Sequence, residues 1–410
     1  MKFNEIKYNF DLSINIHKSK KGYIFLLLIL LDLYYKNKIS YKYNSDNLDL
    51  NSVRKEIIYY NNLNFTNFSF SYFSKIKKPK ISIIITLYNQ KRYIFKIYSS
   101  ILNQSFKKIE IIFIDDASED NTYLDVEKLM SKDKRITYLK NKENRGQFYS
   151  RNKGVLHSKG EFVIIIDPDD YLLNNILIKS YKIAARYYLD IVQFYHIMGN
   201  INENIPVIIN KNSGIFYQPE TSKIFFEYDT RYLWDKLIRR SVFIKSIEFM
   251  GKKFRNERFI IHNDETACFG IFKSANSYGQ IKQIGYFYNL ANANSITKKN
   301  FFPANINGRF HSIFSIMDYY FEQSENNIYE KTKGGYHFFE LRIVQIYKNQ
   351  LKHLTEGFEY IDSVLKKYIE SPFFNTNQKE KLKSFRYEIE MQKLKEQEKH
   401  FNQSLYKKYI

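Results

Sequence analysis

The stretch that most restricts the fold is ISIIITL at residues 81–87, an apolar and largely β-branched run with no polar face. A strand with one wet face alternates apolar and polar residues, so an unbroken run belongs to a strand covered on both sides. The same signature returns in EIIFID (110–115) and EFVIIID (161–167). Between these runs the period changes. Tyr93, Ile94, Ile97, Tyr98, Ile101 and Leu102 share one helical stripe. NTYLDVEKLM (121–130) and QFYSRNKGVLHS (147–158) also read as helices, and RITYLK (135–140) as a strand. LLNNILIKSYKIAARYY (172–188) is a further helix and DIVQFYH (190–196) a further strand. Strands and helices alternating over short connections predict an α/β fold with a mostly parallel central sheet flanked by helices.

This alternation is confined to part of the chain. Lys77-Lys78-Pro79-Lys80 marks its start, and residues 1–79 form an N-terminal extension whose part 36–79 has no steady period. The α/β region runs over 80–300. Near its end TRYLWDKLIRRSVFIKS (230–246) and FIIHNDETACFGIFKSA (259–275) read as helical. Residues 301–410 form a helical C-terminal region, with amphipathic stretches at 336–354 and 359–369 and a highly charged helix to the end. Gly22 to Tyr35 is apolar except for Asp32 and follows Lys18, Lys20 and Lys21. As a helix it spans about 21 Å, short of a ~30 Å hydrocarbon core. It reads either as an uncleaved membrane anchor or as a segment docked on the protein body. The anchor reading, with sequons at Asn64, Asn67, Asn103 and Asn402, places the chain in the lumen of the endoplasmic reticulum or Golgi ahead of the cytoplasm. No other apolar stretch approaches membrane length, which argues against a multi-span pore.

Charge and cysteine content exclude little. A net charge of +21 suits a phosphate-binding surface or a scattered, solvated lysine surface. No dense basic block with interleaved aromatics appears, so a nucleic-acid partner is not expected. Cys268 is the only cysteine, which rules out an internal disulfide and a cysteine zinc site.

The chemistry sits at the strand ends. In a parallel sheet the carboxyl ends of the strands share one edge, and ligands bind there. Thr86, Tyr88 and Asn89 follow the first strand; Asp115 and Asp116 the second; Asp167, Asp169 and Asp170 the fourth. Arg145, Gly146 and Arg151 begin the helix beside them. Crowded carboxylates repel unless a cation joins them, and hard oxygen ligands suit Mg²⁺ or Mn²⁺ carrying a diphosphate. Arg151 can offer a forked contact to the same phosphates. Each aspartate alone is equally a turn former or helix cap.

SIIITLYN, EIIFIDDASEDNT, NRGQFYSRNKGVLHSKGEFVIIIDPDD and WDKLIRRSVF together resemble the family-2 glycosyltransferases of GT-A fold, over residues 80 to about 300. The resemblance implies an inverting transfer of sugar from a nucleotide-diphosphate donor, UDP first, to a hydroxyl of a carbohydrate, glycoprotein or glycolipid. It implies that Thr86, Tyr88 and Asp116 hold the nucleoside, with Arg151 near the ribose or diphosphate. Asp167 and Asp169 become the DxD pair, with Asp167 toward the ribose, Asp169 on the Mn²⁺ or Mg²⁺ and Asp170 supporting. The family's Glu-Asp pair falls on Asn263-Asp264, which makes Asp264 the general base, with Glu265 as the neighbouring alternative. Ala117 stands where the family has glycine. Trp234 and Asp235 lie where the family meets acceptor, although Trp234 reads equally as core. The loss of Glu at Asn263 also permits a second reading, a relative that binds nucleotide sugars or carbohydrates without turnover.

Overall fold

The computed structural model describes residues 50–62, 73–173, 175–199, 230–250, 263–292 and 376–409, with short pieces at 207–209, 214–217, 224–225, 362, 365–366 and 369–370. The candidate anchor at 22–35 and the amphipathic stretch 336–354 lie outside the described residues. Among those described, no helix is long and apolar enough to cross a membrane.

The described strands form one ten-stranded sheet. The expected runs supply β1 (Ile81–Leu87), β2 (Ile109–Asp115), β3 (Ile136–Lys140) and β4 (Phe162–Ile166). They lie in the order β3-β2-β1-β4, all parallel, with Ile81 opposite both Ile109 and Phe162. The other half is mixed. It adds β5 (Tyr171–Leu172), β6 (Ile191–Gly199), β7 (Val207–Ile209), β8 (Gly214–Tyr217), β9 (Lys236–Arg239) and β10 (Ser277–Asn289). β9 runs antiparallel between β4 and β6, and β10 runs parallel to β6. Consequently β6 and β10 point the same way as β1 to β4, and their carboxyl ends share the same edge.

The continuous apolar runs bury both faces of each strand, with alternate residues entering opposite cores. Ile81, Ile83 and Ile85 pack with the helices α2 (Ile94–Leu102), α3 (Thr122–Lys132) and α5 (Ile176–Tyr187). Ile84, Ile112, Ile114, Val163 and Ile165 face the other core. It is covered by α4 (Gln147–His157), α6 (Arg240–Phe249), α7 (Asn263–Ser274) and Leu382, Phe385 and Ile389 of α8 (Thr376–Tyr409). Helix α1 (Leu50–Asn62) precedes the sheet. Gly154 of α4 lets that helix lie close on the strands, since a Cβ there would come within 2.7 Å of Ile84 and Ile114.

Besides the short strands β5, β7 and β8, which the sequence reading lacks, three elements differ from it. Residues 236–239, expected in a helix, form β9, because the gap between β4 and β6 is filled by an antiparallel strand and the helix starts only at Arg240. Helix α1 occupies part of a segment without a visible period. β10 is a 13-residue strand whose register shifts near Ile281 and Ile284 break the two-residue alternation by which a strand is recognised.

Candidate active site

The edge residues assemble from four strand ends and two helix starts. After β1, Thr86 is buried and its Oγ1 has no hydrogen-bond partner among the described residues, while Tyr88 stands 47% exposed. Asn89 ties this loop to the next one: its amide donates to Ser118 Oγ (2.9 Å), and its Oδ1 accepts from the Glu119 amide (2.9 Å). Ala117 adopts a left-handed φ of 66°, a conformation that costs a side chain and favours glycine, which gives a physical reason for the residue type it replaces.

Asp115 and Asp116 are both buried and both brace loops. Asp115 accepts from the Ser118 amide (2.8 Å) and from the Tyr138 hydroxyl. Asp116 Oδ1 accepts from Asn141 Nδ2 (2.7 Å) and the Arg145 amide (2.9 Å), and its Oδ2 from the Gly146 amide (2.7 Å). Gly146 makes that contact at φ 86° and ψ 162°, a region open essentially to glycine alone. Asp116 therefore sets the start of α4, and one lone pair on Oδ2 is left over.

Helix α4 then carries Gln147 and Arg151 to the edge. Arg151 is 2% exposed and links two carboxylates far apart in sequence: its Nη2 donates to Asp167 Oδ1 (2.8 Å) and its Nη1 to Asp264 Oδ1. Gln147 Nε2 also donates to Asp167 Oδ1 (2.9 Å). Burial works against the Arg151 charge, but Asp264 and then Asp167 outweigh it and raise the guanidinium pKa. Asp264 lies in the first turn of α7, where the helix dipole favours a carboxylate, and its side chain is 22% exposed. Glu265, the alternative base, is 2% exposed and poorly placed to meet an acceptor.

The turn Asp167-Pro168-Asp169-Asp170 closes with the Asp170 amide donating to the Asp167 carbonyl (3.2 Å). Asp169 is partly exposed, and its Oδ2 accepts from Asn292 Nδ2 (2.6 Å), whose Oδ1 accepts from Arg92 (2.7 Å). Asp170 does not present itself to a metal as expected. It is 1% exposed, and its oxygens accept from Tyr286 Oη (2.7 Å) and the Asn289 amide (2.9 Å). Tyr286 also accepts from the Asp167 amide (3.1 Å), so one tyrosine fixes both ends of the turn.

Burial raises the carboxyl pKa of Asp167, Asp169 and Asp170, and neighbouring carboxylates add to the rise at Asp167 and Asp170. This crowding fits a cation. Among the described residues no three of His, Cys, Asp or Glu form a metal cage. A hard divalent ion here would thus take one or two carboxylates, chiefly Asp169, and complete its shell from phosphate and water.

Asp167 rises from 3.8 to about 6, burial being the largest cause. The folded chain then holds this proton more tightly than the unfolded chain. Its contribution to stability is full below about 4 and is lost as pH climbs through about 6. Without divalent ions, urea unfolding should give a steeper loss of stability between pH 4 and 6 in the parent than in Asp167→Asn. An identical slope in both would contradict the assignment.

Trp234 and Asp235, expected at the acceptor, are core residues. Trp234 is 2% exposed and stacks on Tyr286 (4.6 Å between ring centres, 14°) and Tyr232 (4.7 Å). Its faces hold Tyr286 in place, and none is left for a sugar. Asp235 is fully buried, accepting from Lys236 Nζ (2.5 Å) and Gln193 Nε2 (2.8 Å). Burial alone would raise its pKa, but the Lys236 ammonium and His196 together outweigh this and hold the carboxyl below its usual range. Sequence reading missed Arg92, Gln147, Tyr286, Asn289 and Asn292. Asn289 and Asn292 obey the strand-end rule and would have been found had β10 been read as a strand; Tyr286 gave no signal.

The family model for glycosyl transferase family 2 matches residues 82–247. A Campylobacter jejuni GalNAc(5)-diNAcBac-PP-undecaprenol beta-1,3-glucosyltransferase is 29% identical over 282 residues, covering 66% of this chain and 84% of that protein. An Escherichia coli UDP-Glc:alpha-D-GlcNAc-diphosphoundecaprenol beta-1,3-glucosyltransferase is 29% identical over 163 residues, covering 40% of this chain and 50% of its relative. In fold, the chain is similar to S. aureus TarS 1-349 in complex with UDP-GlcNAc, with a TM-score of 0.56 and 19% identity over 71% of this chain and 81% of that one.

Proposed function

From the premise that this chain is a family-2 glycosyltransferase working on nucleotide-sugar donors, we propose an inverting, metal-assisted transfer from a UDP-sugar to a saccharide carried on a lipid diphosphate. The observation that carries this reading is the meeting of Asp167 and Asp264 on one buried arginine, at the sheet edge where Asp169 also lies. The two relatives named above act on diphosphoundecaprenol-linked sugars, which supports the acceptor class.

In this reading Tyr88 offers its exposed ring to the base, while Thr86 Oγ1 and the remaining lone pair of Asp116 Oδ2 meet the nucleoside. Asp169, with Asp167, would hold Mn²⁺ or Mg²⁺, which when bound supplies Lewis-acid stabilisation of the leaving diphosphate. Arg151, with one Nη on Asp167 and the other on Asp264, holds these two carboxylates in place beside the diphosphate. The acceptor oxygen attacks the anomeric carbon from the face opposite the diphosphate. Its bond to that carbon forms as the carbon–phosphate oxygen bond breaks. Asp264 takes the acceptor's proton, and the electron pair leaves on UDP. No covalent intermediate on the chain is needed.

A thermal-shift screen of UDP, GDP and TDP with and without Mn²⁺ tests the donor half. UDP with Mn²⁺ should stabilise by about 2.7 kcal/mol at a hundred times its Kd. Stabilisation by none of the three would defeat the proposal. Binding without transfer to any diphosphate-linked acceptor would favour the non-catalytic relative instead.

A further inference from the structure

Helix α1 lies ahead of the matched family region, which starts at residue 82. Its apolar stripe Val53, Ile57 and Tyr60 is nevertheless buried, in one cluster with Tyr171, Leu173, Tyr195, Ile197, Ile284 and Phe287. Tyr60 is fully buried and stacks on Tyr171 (5.4 Å between ring centres, 27°). Tyr171 in turn stacks on Phe287 (5.9 Å, 8°). The Tyr60 hydroxyl donates to Glu56 (3.1 Å) and accepts from Asn103 Nδ2 (2.9 Å), which pins α1 to the end of α2.

The two rings beneath Tyr60 hold particular places. Tyr171 directly follows Asp170, and Phe287 lies between Tyr286 and Asn289, the two residues that fix Asp170. β5 and β10 pair at these positions, with Phe287 opposite Tyr171. A shift of Tyr171 therefore moves the aspartate turn from below. We propose that α1 is a positioning element of the site, and that Tyr60, acting through Tyr171 and Phe287, holds the Asp167–Asp170 turn in its binding geometry. The brace is a property of this chain's own extension, and its effect on donor binding rests on the nucleotide-sugar reading above.

The test uses the full chain with three substitutions. Tyr60→Leu removes the stack, and Tyr60→Phe keeps it while losing the hydroxyl. Phe385→Leu opens a comparable gap in α8, far from this cluster in the opposite core. Two quantities are read well below each variant's Tm: amide hydrogen exchange over residues 167–173, and the Kd of UDP with Mn²⁺. Tyr60→Leu should speed that exchange at least roughly tenfold and weaken UDP at least roughly fivefold. Tyr60→Phe should stay within about twofold on both, and Phe385→Leu should lower Tm without moving either. Unchanged exchange in Tyr60→Leu, or an equal change in Phe385→Leu, would overturn the brace. If Tyr60→Leu does not fold, Ile57→Val takes its place with the same signs and smaller shifts. Faster exchange in Tyr60→Leu, with a parent that binds no UDP, would leave the brace standing and remove the donor reading instead.

Discussion

Asp264→Asn is expected to lower kcat by roughly a hundred- to ten-thousand-fold while leaving the Kd of UDP with Mn²⁺ within about threefold. The substitution keeps the side chain's size and one oxygen for the Leu233 amide, which lies at a long 3.4 Å in the parent. It removes the group able to take a proton, together with the charge that pairs with Arg151. Asp264 is suited to that task by place: it lies in the first turn of α7 with a side chain open enough to meet an acceptor, whereas Glu265 beside it is buried. Steady-state rates together with nucleotide binding separate the outcomes. Near-parental kcat would remove Asp264 as the base. A loss confined to donor binding would make it a donor-site residue instead.

Arg151→Met should have the largest effect on stability, about 3–5 kcal/mol, because breaking a buried charge cluster leaves its partners uncompensated. Asp167 and Asp264 would then face each other with no cation between them. Turnover should fall with it, since Asp167 and the proposed base Asp264 lose the group that positions them. Arg151→Lys should recover part of the stability and little of the activity, as a single ammonium cannot make both contacts in plane. The double variant Arg151→Met/Asp264→Asn should be less destabilised than the two single losses added together, because one orphaned charge has been removed. Urea denaturation of the four proteins decides this. Strict additivity would mean that Arg151 and Asp264 do not act as a unit.

Much of the frame was legible because it rests on local, repetitive signals. The β-branched runs at 81–87, 109–115 and 162–166 can satisfy their burial only in a sheet covered on both faces. The amphipathic stripes between them supply the cover. Strand direction then follows from the short helical connections, and the strand-end rule brings the aspartates to one edge. That logic brings Asp167, Asp169 and Arg151 to one place.

Other assignments depended on neighbours that sequence does not display. WDKLIR has a helix-like spacing of apolar residues, yet the space between β4 and β6 makes it a strand. Trp234, which reads equally as core or as acceptor contact, and Asp235, which the resemblance puts at the acceptor, are enclosed by Tyr286, Lys236 and Gln193. Asp170 and Asp169 are adjacent and chemically identical; only the Tyr286 hydroxyl and the Asn289 amide turn the first inward and leave the second partly exposed.

The sequence by itself determined that the runs forming β1 to β4 are strands, that they run in parallel, and hence the edge at which the acidic residues collect, because burial and chain connectivity are properties of the segments alone. Only the tertiary structure decided what each carboxylate does there. A carboxylate's role depends on which donors reach it and how much water it keeps, and at this edge those donors come from residues up to 123 positions away.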